Sequence, residues 1–269
     1  MIELTEKEFV TLRDYVLGNF GIDLSKKKVL IQGRLTATLT QRGFKTFTEY
    51  IDFVKADKTG TEVNLLLNKL TTNLTYFMRE KEHFEFLHNV VLPEFDRTKR
   101  REIRLWSAGC SSGEEPYTLA MTLANYYAGK PNPPKISILA SDISQKVLTS
   151  AQAAIYPAEG LKDMPAGWAA KYFDKVDADQ VKVKDDIKKL VTFRTVNLMD
   201  PFRFRSPFEI IFCRNVMIYF EKERKNDLVN RFYQWVAPGF YFFISHSENV
   251  DRGQSEFRMV KPSIFRRDV

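Results

Sequence analysis

The chain has no run of about twenty apolar residues, so nothing in it is suited to span a bilayer, and no direct membrane insertion is expected. Its opening residues, Met1 to Glu6, carry no basic stretch followed by an apolar one, so no secretory leader is expected and a cytoplasmic location is. Cysteine is scarce. Cys110 and Cys213 lie far apart in apolar surroundings, and a disulfide framework would need more of them and an oxidising compartment. Two reduced thiols beside a sheet are expected instead. The three histidines, His83, His88 and His246, form no ligand spacing with those cysteines, so no metal is expected. No Ser-His-Asp or Cys-His set, internal repeat or low-complexity tract is recognisable.

What is present argues for a packed, soluble chain. Hydrophobic residues make up 44% of the sequence and phenylalanine alone occurs 22 times, ample material for a core. The formal charge of +7 suits an acidic partner or cofactor. Much of the excess is local: Lys26, Lys27, Lys28, Arg34, Arg42 and Lys45 occur between Leu24 and Glu49 with no acid among them. Such a run is either a solvated face or a docking surface for an acidic protein or nucleic acid.

The first part of the chain has a helical rhythm. Leu4, Phe9, Leu12, Val16 and Phe20 recur at three- and four-residue spacing, Thr5 and Glu8 form a capping box, and Gly18 and Gly21 end the helix. A second helix is expected from Ser25, as N-cap, to Gly43. It would turn Val29, Leu30, Leu35 and Leu39 inward and leave Lys27, Arg34 and Arg42 toward solvent. Helices near Thr46–Lys55 and Glu62–Leu70 complete a small bundle with no sheet.

After Leu92-Pro93 the pattern changes. Ile103–Ala108, Ile136–Ser141, Leu190–Val196 and Phe208–Cys213 are short, apolar and β-branched, and helical stretches follow Glu114 and Ser144 and run from Lys222 to Val236. Alternation of this kind predicts an α/β fold with a parallel, doubly wound sheet. Phe240–Ser245 and Ser263–Arg266 would close its edge as an antiparallel pair. Val181–Leu190 reads as an inserted β-hairpin with an Asp-Asp turn.

The first strand runs directly into Ala108-Gly-Cys-Ser-Ser-Gly-Glu-Glu-Pro-Tyr-Thr118, which becomes a helix. Gly109 and Gly113 permit a sharp turn and close approach to a ligand at the strand ends, where open sheets bind. The dinucleotide spacing G-x-G-x-x-G is absent, and Glu114-Glu115 would oppose a pyrophosphate. A ligand with a sulfonium, an amine and ribose hydroxyls suits the loop better, and S-adenosylmethionine has all of these. Asp142, ending the second strand, is placed to accept ribose hydroxyls or to serve as an N-cap. Asn197 and Leu198 follow the next strand, where an amide and an apolar side chain could read and cover an adenine. Arg214 and Asn215 follow the strand after that.

Four segments together resemble one family. Thr71-Thr-Asn-Leu-Thr-Tyr-Phe-Met-Arg-Glu80, Trp106-Ser-Ala-Gly-Cys-Ser-Ser-Gly-Glu-Glu-Pro-Tyr117, Ile211-Phe-Cys-Arg-Asn-Val-Met-Ile-Tyr-Phe220 and His246-Ser-Glu-Asn249 are similar to motifs of the chemotaxis receptor glutamate methyltransferases, CheR. The resemblance covers nearly the whole chain. It implies a Rossmann-like S-adenosylmethionine-dependent methyltransferase domain over 100–269, with a small β-insert at about 175–192. A helical substrate-docking domain over 1–72 and a connecting segment over 73–99 would precede it. It further implies that Asn73, Thr75 and Arg79 contact the cofactor from the segment between domains, joining Gly109, Glu115, Asp142, Asn197, Leu198, Arg214 and Asn215 at the strand ends. Arg79, Arg214 or Tyr219 would orient the substrate carboxylate, and Lys27, Arg34 and Arg42 would dock the acidic, helical cytoplasmic domain of a methyl-accepting receptor.

The chain departs from the family pattern at Met78, where a second Phe is common, and at Phe240, where a glycine is common. It also lacks the glycine-rich insert loop of members that tether to a receptor's C-terminal peptide. A monomer is expected. Two rival readings are a nucleic-acid methyltransferase and a non-catalytic cofactor sensor. Base-amine methylases carry a Pro-Pro-aromatic motif after the fourth strand, where this chain has Arg214-Asn-Val-Met-Ile-Tyr219, so no nucleic-acid partner is expected.

Overall fold

A computed structural model describes residues 2–71 and 73–269. Met1 and Thr72, where the sequence places the boundary between the two domains, lie outside the described residues.

Four helices open the chain: α1 (Glu6–Phe20), α2 (Lys28–Arg42), α3 (Phe47–Ala56) and α4 (Thr61–Leu70). The capping box forms: Thr5 Oγ1 accepts the Glu8 amide, and the Thr5 amide donates to Glu8 Oε2 at 3.0 Å. The other Glu8 oxygen accepts the Thr48 amide at 2.8 Å, so one carboxylate caps α1 and ties it to the start of α3. Gly18 stays inside α1, and Gly21 alone ends it, in the left-handed region. Leu12, Val16, Leu35, Leu39, Phe47 and Leu67 make a core of their own.

The second helix differs from expectation in start and face. The Asp23 carboxylate accepts the Ser25 amide at 2.8 Å and the Lys27 amide donates to Leu24 O at 2.9 Å, so residues 24–27 form a turn and Ser25 is no N-cap. From the later start at Lys28, the inward face is Ile31, Leu35, Thr38 and Leu39, at helical spacing. Val29 is 87% exposed and Leu30 44%.

A rod of α5 (Glu82–Phe86), a π turn (Leu87–Val91) and α6 (Leu92–Thr98) leads to the sheet. The ladder widens just before Pro93, which has no N–H to continue a regular one. The sheet comprises β1 (Glu102–Ala108), β2 (Lys135–Asp142), β6 (Val191–Thr195), β7 (Phe208–Phe212), β8 (Val236–Phe243), β9 (Arg258–Lys261) and β10 (Ile264–Arg266). Their order is β6-β2-β1-β7-β8-β10-β9; the first five are parallel, and β10 lies antiparallel to both β8 and β9. All four residues of β9 are exposed, so it gave no alternating pattern to read. The crossover helices are α7 (Glu114–Tyr127), α8 (Gln145–Ala153) and α9 (Lys222–Trp235).

Phenylalanine supplies much of the sheet's packing. Phe212 stacks on Phe243 with centroids 4.3 Å apart, and Phe240, at the departure from the family pattern, stacks on Phe95 at 5.2 Å. Trp106 is fully buried, and its Nε1 donates to Ser141 Oγ at 2.8 Å, which satisfies its polar atom. Burying each such side chain stabilises by about 1.5–3 kcal/mol.

The insert also corrects the sequence reading. Val181–Leu190 is not a hairpin: β3 (Ile155–Pro157), β4 (Phe173–Lys175) and β5 (Gln180–Val183) form a separate antiparallel sheet in the order β3-β5-β4. Asp185 and Asp186 begin a short helix, Asp185–Lys188, where acids favour the first turn. The insert therefore starts near Ile155, well before residue 175.

Candidate active site

The loop after β1 hangs from the end of β2. The amides of Gly109 and Cys110 both donate to Ser141 O, at 2.7 and 2.8 Å, and the Ser111 amide donates to Asp142 Oδ2 at 2.9 Å. Gly109 has φ +88, and a Cβ there would stand 2.2 Å from Val216 Cγ2. At Gly113, φ +97, a Cβ would meet that of Ala151 at 2.8 Å. Both positions require glycine by conformation and by space.

These strand ends border one crevice of about 980 Å³, open mouth included. Every residue assigned to the cofactor lines it: Asn73, Thr75, Arg79, Gly109, Glu115, Asp142, Asn197, Leu198, Arg214 and Asn215, with Tyr219 beside them. Phe20, Ile22, Ile143, Val196, Val216 and Phe220 add an apolar wall that the sequence did not announce.

A charge network underlies the polar wall. Arg214, 5% exposed, pairs through Nη1 with Glu115 Oε2 at 3.0 Å and through Nη2 with Glu80 Oε2 at 3.3 Å, and it also donates to Arg79 O. The other Glu115 oxygen accepts Ser107 Oγ at 2.7 Å. Burial pushes the Glu115 carboxyl up, opposed mainly by Arg214. Burial likewise raises Asp142, opposed by the backbone amides it accepts. For Glu80, burial pushes up, but Arg214 and Asn215 hold it below the ordinary value.

The guanidiniums expected to orient a substrate are thus largely engaged inside the protein. Arg79 donates to Leu74 O at 2.6 Å and to Asn215 Oδ1 at 2.8 Å, which folds the segment from residue 73 onto the sheet. Met78 and Glu80 in that segment, and Asn215 opposite, have φ of 61, 54 and 60, left-handed values that only a well-determined surrounding sustains. Asn197 is also occupied: its Nδ2 donates to Asn19 O at 3.0 Å and its Oδ1 accepts the Met199 amide at 3.0 Å, so it joins α1 to the sheet.

Glu248, within the His246–Asn249 motif, organises the turn after β7. Its carboxylate accepts the amides of Asn215, Val216, Met217 and Ser245 at 3.2, 3.0, 2.8 and 2.8 Å. A buried carboxylate after a strand is the signal that could have found it.

The mouth is shared by both parts of the chain. Ile22 forms a β-bridge to Phe220, and the Asp23 amide donates to Tyr219 O at 2.8 Å. Lys27 Nζ sits 4.9 Å from the centre of the Tyr219 ring, where burial lowers its pKa. Arg42 faces solvent as expected but its guanidinium is engaged, and Arg34 does not stand clear. Arg34, half-buried, donates to the carbonyls of Lys69, Leu70 and Thr71 at 3.2–3.3 Å, and Arg42 forms a two-pronged pair with Glu62.

The donor set fits S-adenosylmethionine. Asp142, Glu115 and the neighbouring Glu80 outnumber Arg79 and Arg214, so the crevice favours a cation and disfavours phosphate. Arg79, half-buried in the crevice lining, is the guanidinium that a ligand carboxylate can reach, whereas Arg214 Nε is shut off from solvent. The apolar wall suits an adenine. Burial raises both cysteine thiols well above their ordinary value, so neither is an activated nucleophile.

A parallel sheet with an acid-lined crevice at its strand ends and a glycine turn too acidic for phosphate defines an S-adenosylmethionine-dependent methyltransferase. The chain matches the model described as "CheR methyltransferase, SAM binding domain" over residues 73–265 and "CheR methyltransferase, all-alpha domain" over residues 7–71. It is 42% identical to the chemotaxis protein methyltransferase of Borreliella burgdorferi, covering 99% of this chain and 96% of that one. To chemotaxis protein methyltransferase 2 of Pseudomonas aeruginosa it is 36% identical, over 97% and 93%. To the Salmonella typhimurium enzyme it is 34% identical, over 98% and 91%. The chain belongs to the CheR methyltransferase family.

Proposed function

We propose that the protein is a protein-glutamate O-methyltransferase of the cytoplasm. It would methylate glutamates in the helical cytoplasmic domain of bacterial chemotaxis receptors and form glutamyl methyl esters during sensory adaptation. The observation that carries this reading is a crevice with cofactor-holding groups and, among the described residues, no histidine in its lining, its carboxylates being occupied by amides, hydroxyls or guanidinium. An amine or hydroxyl nucleophile would need deprotonation, whereas glutamate, with a pKa of about 4.3, is already ionised at neutral pH. The relatives are named chemotaxis protein methyltransferases, which supports a methylation reaction within chemotaxis.

Bound S-adenosylmethionine supplies a sulfonium methyl, to which a carboxylate oxygen bonds as the carbon–sulfur bond breaks and its electron pair stays on sulfur. The chain's part is alignment, which contributes roughly 7–11 kcal/mol when reactants are well oriented. Asp142 takes the ribose hydroxyls, Leu198 covers the adenine, and Asn197 holds the α1 wall in place. Arg79 takes the carboxylate of the methionine moiety, Arg214 holds the Arg79 carbonyl from beneath, and Asn73 and Thr75 close the segment over it. Tyr219 and Lys27 at the mouth receive the substrate carboxylate, weakly enough not to trap its ground state.

Docking then rests first on Lys27 with exposed Lys26. Arg34 and Arg42 contribute by fixing the helix that presents them. The protein would act as a monomer, with no nucleic acid. Incubation with methyl-labelled S-adenosylmethionine and receptor membranes or RNA tests this. Label on membranes released by alkali is expected; base-stable label on RNA, or no transfer, would overturn it.

A further inference from the structure

The fold brings together two of the three histidines that the sequence left unpaired. The rings of His83, at the start of the rod, and His246, after β8, meet at a tilt of 40° with centroids 4.8 Å apart. With Glu80 they direct one ligand atom each into a common space, all within 4.8 Å of one another. We infer that Glu80, His83 and His246 form a transition-metal site, of the zinc or cobalt class, backing onto the active-site arginine.

Proton placement supports a lone pair pointing into that space. Ser263 Oγ lies 2.6 Å from Pro262 O, 2.7 Å from His83 Nε2 and 3.1 Å from His246 Nδ1; in the arrangement that gives its one proton to Pro262 O, it accepts from His83 Nε2. With the proton on Nε2, His83 Nδ1 is bare. It is buried in a residue 1% exposed and has no hydrogen-bond partner among the described residues. It faces Glu80 Oε2 at 3.5 Å, so two electron-rich atoms oppose each other with no proton between them. Donors 3.5 Å apart, each about 2.1 Å from a shared ion, subtend roughly 113°, close to tetrahedral. Ser263 holds the far nitrogen of His83, the outer support that ligating histidines usually have. His246 supplies the third donor from the surface, its side chain 47% exposed, and so gives both an entry path and freedom to close in. Exposed Glu82, with Oε2 3.8 Å from His246 Nε2, adds negative charge at the entrance.

Occupancy has a consequence for the crevice. Glu80 Oε2, the atom the ion would take, also pairs with Arg214 at 3.3 Å. An ion there draws Glu80 away from Arg214 and loosens a cofactor-holding group, making the metal an inhibitor that acts from behind the pocket. The site stands on this geometry and is independent of which protein is methylated.

Cobalt(II) titrated into the chelator-treated full chain tests it through the visible absorption of tetrahedral cobalt. One ion per chain is expected. His246→Ala, a surface change the fold should tolerate, is expected to weaken binding at least about tenfold, while His88→Ala leaves it unchanged. In parallel calorimetry, zinc is expected to weaken cofactor binding by the wild type but not by His246→Ala. Binding that is not saturable, or that ignores His246→Ala, overturns the site. Cofactor affinity indifferent to bound zinc overturns the coupling to Arg214.

Discussion

Replacing Gly109 by alanine perturbs the crevice where the loop after β1 meets Val216, beyond the end of β7. Its φ of +88 would impose about 1–2 kcal/mol on any residue with a Cβ. The new methyl would also stand 2.2 Å from Val216 Cγ2. Val216 cannot retreat freely, because Glu248 holds its amide at 3.0 Å, so overpacking adds about 1–3 kcal/mol. Gly109→Ala should therefore lower stability by roughly 2–5 kcal/mol in denaturant unfolding. Because both residues line the crevice, it should also weaken cofactor binding measured by calorimetry. Val216→Ala removes the clashing methyl and leaves Val216 Cβ 3.4 Å from the new one, an ordinary contact. The double-mutant cycle should thus show a favourable coupling of about 1–3 kcal/mol, with the conformational part remaining. Additive effects, or Gly109→Ala within about 0.5 kcal/mol of the wild type, would refute the steric reasoning.

Other outcomes follow from the same geometry. Arg34→Ala should destabilise the protein by about 1–2 kcal/mol through the uncapped carbonyls of α4, whereas Lys27→Glu should leave stability nearly unchanged and raise the receptor KM in a salt-sensitive way. Receptor KM unaffected by Lys27→Glu would contradict docking at the mouth. Burial raises Asp142, so its charge is lost at a higher pH than that of an exposed aspartate; cofactor affinity should be full above that pH and fall as pH drops through it. Asp142→Asn should remove this acid limb along with most of the affinity. Both cysteines should resist thiol reagents in the native protein and react on unfolding, because each thiol is buried and protonated.

The strand ends were legible because each carries its signal locally: a β-branched run, then a polar residue or glycine. The segment from residue 73 to Glu80 was not. Its role depends on left-handed backbone at Met78 and Glu80 and on Arg79 reaching Asn215, contacts that no periodicity encodes; the family resemblance alone pointed there. Arg34 and Arg42 read as docking charges because their partners, the α4 carbonyls and Glu62, lie some twenty to forty residues on and become neighbours only in the bundle. The insert was misplaced because β3 is three residues long and ends in proline, too short for alternation to register. His83 and His246 looked unrelated for the same reason: 163 positions separate residues whose rings touch.

The central claim is that the crevice holds S-adenosylmethionine by its ribose, with its reactive end toward the mouth shared with α2. A crystal structure with the demethylated product, S-adenosylhomocysteine, tests this most directly. The ribose hydroxyls are expected on the Asp142 carboxylate, the amino-acid carboxylate at Arg79 and the sulfur facing Tyr219. A product bound elsewhere, or with Asp142 out of reach of the ribose, would contradict it.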